Sequence, residues 1–172
     1  IGTALADNPQ LTCRIAGMEV YSPRRIIIDS TLKLPLSSLL VKTANQIPTI
    51  ILTATGANRK RIKALKKQGV KVIELTPSIS SHPAPEVMAE ALGIEGLNSV
   101  LIEGGSKIAG SFMNAGLIDR LAWFRAPKLI GGDGVPSIAA YGVESLIDAQ
   151  SFQRTAQYQC GKDIYETYDR KS

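Results

Sequence analysis

Residues 100–116 read VLIEGGSKIAGSFMNAG. The apolar run Val100-Leu101-Ile102 ends in the carboxylate of Glu103 and two glycines, and a helical pattern starts at once. That order spells strand, tight turn, helix. It places a strand at 99–103 and a helix at 107–115, with Ser106 as N-cap and Gly116 as the residue just past the helix end. Glycine lets a ligand come close to the backbone. The amino end of a helix then offers free N–H groups and a positive dipole end to a phosphate. In open α/β sheets ligands lie at the carboxyl ends of strands. Two readings stand side by side: a seat for a nucleotide pyrophosphate, and a tight turn in which glycine serves sterics alone. Glu103 would form the floor of the crevice in the first, and pair with Lys107 on the surface in the second. The stretch matches neither GxGxxG nor GxxxxGK[ST], so the standard dinucleotide fingerprint and the P-loop do not apply.

Outward from this unit, apolar β-branched runs alternate with helical patterns. Strands are expected at 25–29, 49–53, 70–75 and 120–126. Helices are expected at 58–68, stopped by Gly69, and at 85–92, stopped by Gly93. A Ser/Pro-rich loop fills 76–84, and 152–168 reads as a β-hairpin turning near Gly161-Lys162. The fold class is α/β: three layers, a mainly parallel sheet with helices on both faces, and an antiparallel C-terminal hairpin. No linker divides residues 1–172, which read as one domain. Ile1-Gly2-Thr3 reads as a strand end running into a turn, so the chain is expected to begin inside a domain.

Composition narrows the chemistry. Hydrophobic residues are 44% and charged residues 20%, the mix of a globular protein. No apolar run reaches membrane-spanning length, and no signal peptide is visible. Cys13, Cys160 and His82 are the whole Cys/His inventory, too few for a structural zinc site, so no metal is expected. Two free thiols and no secretion signal point to the cytoplasm. One histidine builds no Ser-His-Asp or Cys-His arrangement, and no spaced acidic cluster calls for magnesium. What remains is chemistry supplied by an organic cofactor. Net charge is +5, with six basic residues between Arg59 and Lys67. The plain reading of those six is a solvated helix face. No aromatics interleave with them, so the stacking platform of a single-strand binder is missing.

Two further segments carry polar groups. In GTALADNPQLTCR, residues 2–14, Asp-Asn-Pro is turn chemistry, Thr3 supplies a hydroxyl, Asp7 a carboxylate and Arg14 a fork suited to phosphate. Each alone is a weak signal: Asp7 also reads as a turn former, and a lone Arg14 as a surface residue. The glycine-rich run 127–134 either borders a site or simply connects.

Together these segments resemble the reductase domain of riboflavin biosynthesis, the 5-amino-6-(5-phosphoribosylamino)uracil reductase. The matching pieces are GTALADNPQLTCR (2–14), RRIIIDS (24–30), VLIEGGSKIAGSFMNAGLIDRL (100–121) and APKLIGGDG (126–134), in the same order and spacing. The resemblance implies a dihydrofolate-reductase-like fold, a homodimer, and NADPH-dependent reduction of the substrate's ribosyl group to ribityl. It implies that Thr3, Asp7 and Ser30 line the NADPH site. Gly105, Ser106, Lys107, Ile108, Ala109, Gly110 and Ser111 would hold the cofactor's diphosphate. Leu11, Arg14 and Glu103 would contact the phosphorylated pyrimidine substrate, Arg14 near its phosphate. No proton donor is implied. The family's domain carries a strand and helix upstream of Ile1, and in many bacteria a zinc deaminase domain with H-x-E and P-C-x-x-C patterns that this chain lacks; zinc would belong only there. Rival readings are a reductase of the same fold acting on a pterin or another pyrimidine, and a basic nucleic-acid binder. Nucleic acid and membrane are not expected partners. Asn58 and Arg59 are a further option for approaching the 2′-phosphate of NADPH.

Overall fold

A computed structural model describes residues 1–77 and 82–171. The chain forms two compact units, Ile1–Val100 and a second from Leu101 onward. Residues 78–81 of the expected 76–84 loop lie outside the described residues.

The first unit is built on three parallel strands in the order β1 (Arg25–Ile28), β2 (Thr49–Ala54), β3 (Lys71–Leu75). Ile26 pairs with Ile50 and Leu52 with Ile73, so the β-branched runs lie side by side. Four helices accompany them: α1 (Gly2–Asp7), α2 (Leu39–Lys42), α3 (Arg59–Lys67) and α4 (Pro85–Ile94). Ile27, Ile51, Ile62, Leu65, Leu40 and Val41 form the centre of one apolar core, against which Leu11 packs. α3 turns Ile62 and Leu65 inward and leaves its basic residues outside, apart from half-buried Arg61, as its period requires. Asn58 caps it, its side chain accepting from the N–H groups of Lys60 and Arg61. Gly69, at φ 87°, ends it.

The second unit holds α5 (Ser106–Asn114) and three antiparallel strands in the order β4 (Arg120–Arg125), β6 (Asp163–Arg170), β5 (Phe152–Cys160). The hairpin turns at Gly161-Lys162, with Gly161 at φ 63°. A bulge between Arg154 and Ala156 sets both Arg154 and Gln157 on the side of Glu166. No helix among the described residues is long and apolar enough to cross a membrane.

Several expectations are corrected. Residues 99–103 form no strand: no described strand pairs with them, and Leu101 is 75% exposed. Strand preference is packing against neighbours, and without a ladder it has nothing to act on. Residues 2–7 are a helix rather than a strand end; Ala4, Leu5 and Ala6 are good helix formers, and left-handed Asn8 followed by Pro9 supplies the stop. Ser106 is the first residue of α5, not its cap; Gly105, at φ 89°, takes the cap position and no side chain caps it. α4 runs through Gly93 to Ile94 and is released by Gly96 at φ 76°. The helix α2 has no counterpart among the expected elements.

Candidate functional site

In the first unit, α1 carries Thr3 and Asp7, both exposed. Asn8 at φ 43° turns the chain into the loop that bears half-buried Leu11, itself at φ 51°, and exposed Arg14. A left-handed conformation costs an ordinary residue such as Leu about 1–2 kcal/mol, so this loop needs fixed partners. They are present. The Asn8 Oδ1 accepts from the Leu39 N–H at 2.9 Å. The Gln10 carbonyl accepts from the Arg25 guanidinium at 3.1 Å. The Cys13 N–H donates to the Ser22 hydroxyl at 3.1 Å. Arg14 itself makes no hydrogen bond or ion pair among the described residues, so its donors face outward unspent. A small hollow of about 150 Å³ lies between Ala4, Leu5 and Asn8 on one side and Pro35, Ser37 and Ser38 on the other.

Ser30 follows β1 at the carboxyl edge of the parallel sheet. Its hydroxyl lies 3.0 Å from Nδ1 of His82. The turn after it is pinned: the Leu34 N–H donates to the Asp29 carboxylate at 2.8 Å, and the Arg61 guanidinium of α3 donates to the carbonyls of Leu32 and Leu34. Beside it, Asp29 Oδ1 and Thr53 Oγ1 are buried with no hydrogen-bond partner among the described residues. Unsatisfied buried polar atoms are rare in folded proteins, and these two sit at the strand ends where α/β sheets place ligands. Arg59 is paired with Glu74 at 2.7 Å, and Asn58 spends its side chain on the helix cap.

In the second unit, Glu103 is exposed and forms no ion pair with Lys107 among the described residues. Behind it Gly105 adopts a backbone that side-chain-bearing residues rarely adopt, and opens directly into α5. The N–H groups of Ser106, Lys107 and Ile108 have no acceptor within the helix and no side-chain cap. Lys107 is exposed, Ile108 and Ala109 are half-buried, and the Ser111 hydroxyl donates back to the Ile108 carbonyl at 3.0 Å. Gly110 is glycine for a packing reason: a Cβ there would meet the Ala139 carbonyl oxygen at 2.8 Å. The 127–134 run is exposed apart from half-buried Gly134, with Gly131 at φ 74°.

The sequence did not flag one charged cluster. Glu166 is 2% exposed and lies between two arginines, Arg125 at 2.9 Å and Arg154 at 3.0 Å. It faces a hollow of about 480 Å³ walled by Trp123, Phe152 and Tyr168, which includes none of the expected site residues. The hydrogen bond from Arg154 holds its carboxyl below the usual carboxylate range; desolvation opposes this, and the attraction of Arg125 adds to it. A lowered carboxyl pKa stabilises the fold fully above the ordinary carboxylate range, and the contribution fades as pH falls through the folded value. Acid melts should therefore show a drop below about pH 4 that Glu166→Gln flattens; an unchanged acid limb in the variant would mean that the triad does not couple to folding.

The family model of the RibD C-terminal domain matches residues 1–164. The chain belongs to the RibD C-terminal domain family. Among curated relatives, a riboflavin biosynthesis protein RibD from Bacillus amyloliquefaciens is 41% identical over 164 residues, covering 95% of this chain and 43% of the relative. A 2,5-diamino-6-ribosylamino-4(3H)-pyrimidinone 5′-phosphate reductase from Methanothermobacter thermautotrophicus is 28% identical, covering 99% of this chain and 77% of that protein. The chain thus spans less than half the length of the RibD relative. A solved RibD from Acinetobacter baumannii superposes with a TM-score of 0.76 at 23% identity, over 99% of this chain and 45% of that one. The α/β fold, with its parallel strands and antiparallel C-terminal hairpin, is the dihydrofolate-reductase-like fold of these RibD reductases.

Proposed function

We propose that this RibD C-terminal domain is the NADPH-dependent reductase of 5-amino-6-(5-phosphoribosylamino)uracil, giving the ribitylamino product. The observation that carries the reading is the uncapped amino end of α5 behind Gly105, with Glu103 unpaired beside it. The names of the relatives support it, one being a reductase of a ribosylamino-pyrimidinone phosphate.

The residues present fit a dinucleotide. The N–H groups of Ser106, Lys107 and Ile108 and the Lys107 ammonium suit a diphosphate. Gly105 lets it approach the backbone. Gly110 keeps α5 seated, and Ala109 and Ser111 complete its first turns. Thr3, Asp7 and Ser30 would offer hydroxyl and carboxylate groups for the sugar portions, with the buried Asp29 and Thr53 oxygens, partnerless among the described residues, behind Ser30. NADPH supplies a hydride. Arg14 would hold the substrate phosphate through charge-assisted bonds, Leu11 would wall the pyrimidine, and Glu103 would accept from its N–H groups. When bound, NADPH would supply that hydride for C1′ of the ribosylamine in its open imine form, and a proton would be taken up at nitrogen.

The same proposal takes both units as one reductase domain acting as a homodimer in the cytoplasm, with zinc chemistry confined to any deaminase portion. The dimer is supported by the aromatic row on the antiparallel sheet, where exposed Phe124 stacks on half-buried Tyr165 at 4.4 Å and exposed Tyr158 lies 6.0 Å from it.

The test is the loss of NADPH absorbance on adding the phosphoribosylamino-uracil to the intact gene product. Turnover with that substrate supports the reading. Turnover only with the 2,5-diamino-pyrimidinone or a pterin reassigns the substrate. Absence of turnover in folded protein that binds no NADPH rejects the reductase, and nucleic-acid affinity falling steeply with salt would replace it.

A further inference from the structure

We infer that Arg25 is a positioning residue: its buried guanidinium, together with the Asn8 amide, clamps the loop bearing Leu11 and Arg14 onto α2. The inference rests on the proposal that this loop binds the substrate.

Arg25 opens β1 and is 2% exposed, an unusual place for an arginine. Its two terminal nitrogens meet five oxygens: Gln10 O at 3.1 Å, Thr43 Oγ1 at 2.8 Å, Leu40 O at 3.2 Å, Ile47 O at 2.8 Å and Thr49 Oγ1 at 2.7 Å. None belongs to a carboxylate, and Nε has no partner. A buried cation held by neutral oxygens alone is a costly core filler, and an apolar side chain of similar volume would fill the space more cheaply. What the guanidinium does that an apolar chain cannot is join three separate segments. The same Nη1 touches Thr43, the C-cap of α2, and Gln10, in the middle of the loop. At the other end of α2, the Leu39 N–H is held by Asn8.

The two tethers hold the first half of the loop, up to Leu11, and the Cys13 N–H bond to the Ser22 hydroxyl holds its far end. Asn8 and Leu11 both have positive φ, and Gln10 lies between them. Such a conformation persists only where its surroundings over-determine it, and it collects at functional sites. With Gln10 released, Leu11 relaxes towards ordinary φ and leaves its place against the core, and Arg14 is then held only through the Cys13 bond to Ser22, so its direction is less closely set. Arg25 touches neither substrate nor cofactor in this scheme; it sets where Leu11 and Arg14 point.

The test uses the full-length protein with Arg25→Met, Arg25→Lys and Asn8→Gly. Three quantities are read: steady-state kinetics with the phosphoribosylamino-pyrimidine, NADPH affinity by fluorescence titration, and amide exchange of residues 8–14 against β2. Arg25→Met should raise KM about tenfold with kcat and NADPH affinity within about twofold, a displacement of the kind that misplaced binding groups produce. Arg25→Lys should recover part of the KM. Asn8→Gly, which removes one tether and leaves the core alone, should raise KM about threefold on the same ground. In each variant exchange should quicken at 8–14 more than in β2. If Arg25→Met fails to fold, the other two variants decide by the same criteria. A constant KM with loop exchange no faster than in β2 overturns the inference, as does a fall in kcat at constant KM, the mark of lost active protein. Failure of the underlying reading looks different: wild type gives no turnover, or Arg14→Ala leaves KM unmoved, while loop exchange still reports on the clamp.

Discussion

Arg14→Ala should lower kcat/KM for the phosphorylated pyrimidine about a hundredfold, almost wholly through KM, and leave the melting temperature where it was. The stability half follows from geometry. Arg14 is exposed and its guanidinium has no hydrogen-bond or ion-pair partner among the described residues, so its removal strands nothing. Surface changes of this kind stay within about 0.5 kcal/mol. The kinetic half follows from the partner it is proposed to meet. Hydrogen bonds to charged groups contribute about 1.5–3 kcal/mol, and about 1.4 kcal/mol is a factor of ten. A forked contact to phosphate therefore amounts to about two orders of magnitude. Arg14→Lys should fall between, since lysine keeps the charge and loses the fork. Steady-state kinetics with the phosphorylated substrate and its dephosphorylated form settle the matter. Loss of discrimination between the two in Arg14→Ala is the expected signature, and an unchanged ratio would take Arg14 out of the phosphate site.

Gly110→Val should destabilise the protein by about 3 kcal/mol and abolish NADPH binding. Two effects oppose each other. Replacing a helical glycine by alanine removes a penalty of roughly 0.8–1 kcal/mol, and by β-branched valine only part of it, so on propensity alone the change is still favourable. Against it, a Cβ at 110 meets the Ala139 carbonyl oxygen at 2.8 Å and its carbonyl carbon at 3.5 Å. Backbone cannot step aside as a side-chain tip can, and the Ala139 N–H is already bonded to the Ser106 carbonyl at 3.0 Å. Overpacking of this kind costs typically 1–3 kcal/mol, and valine adds two further methyl groups. The clash wins, and α5 must shift with the N–H groups at its amino end. Gly110→Ala should be milder, about 1 kcal/mol net. Thermal melts with and without NADPH measure both. Full stability of Gly110→Val would mean that residues 106 and 139 are not packed as described.

Much of the fold was legible because it is local. The β-branched runs at 25–28, 49–54 and 71–75 declared buried strands, and Gly161-Lys162 declared the hairpin turn. Asn58 and Gly69 marked the two ends of α3 by cap chemistry. Gly105 was legible as a position that needs glycine, and its φ of 89° gives the reason. Arg14 and Glu103 were legible as polar groups at turns, and both are exposed without partners among the described residues. Residues 99–103 misled because an apolar run names a tendency, while a strand exists only with a neighbour to bond. α1 was hidden because six residues give too short a period to read.

The sequence by itself determined most of the strands, the longer helices, the family and the residue types available for phosphate and cofactor, since propensity, capping and motif spacing act over a few neighbouring residues. Only the tertiary structure decided that Gly110 answers to Ala139, that Glu166 lies buried between Arg125 and Arg154, and that Arg25 is a buried clamp on the loop rather than a surface charge. Each of these depends on which distant backbone oxygen or guanidinium arrives within bonding distance, and that depends on packing, which no local pattern encodes.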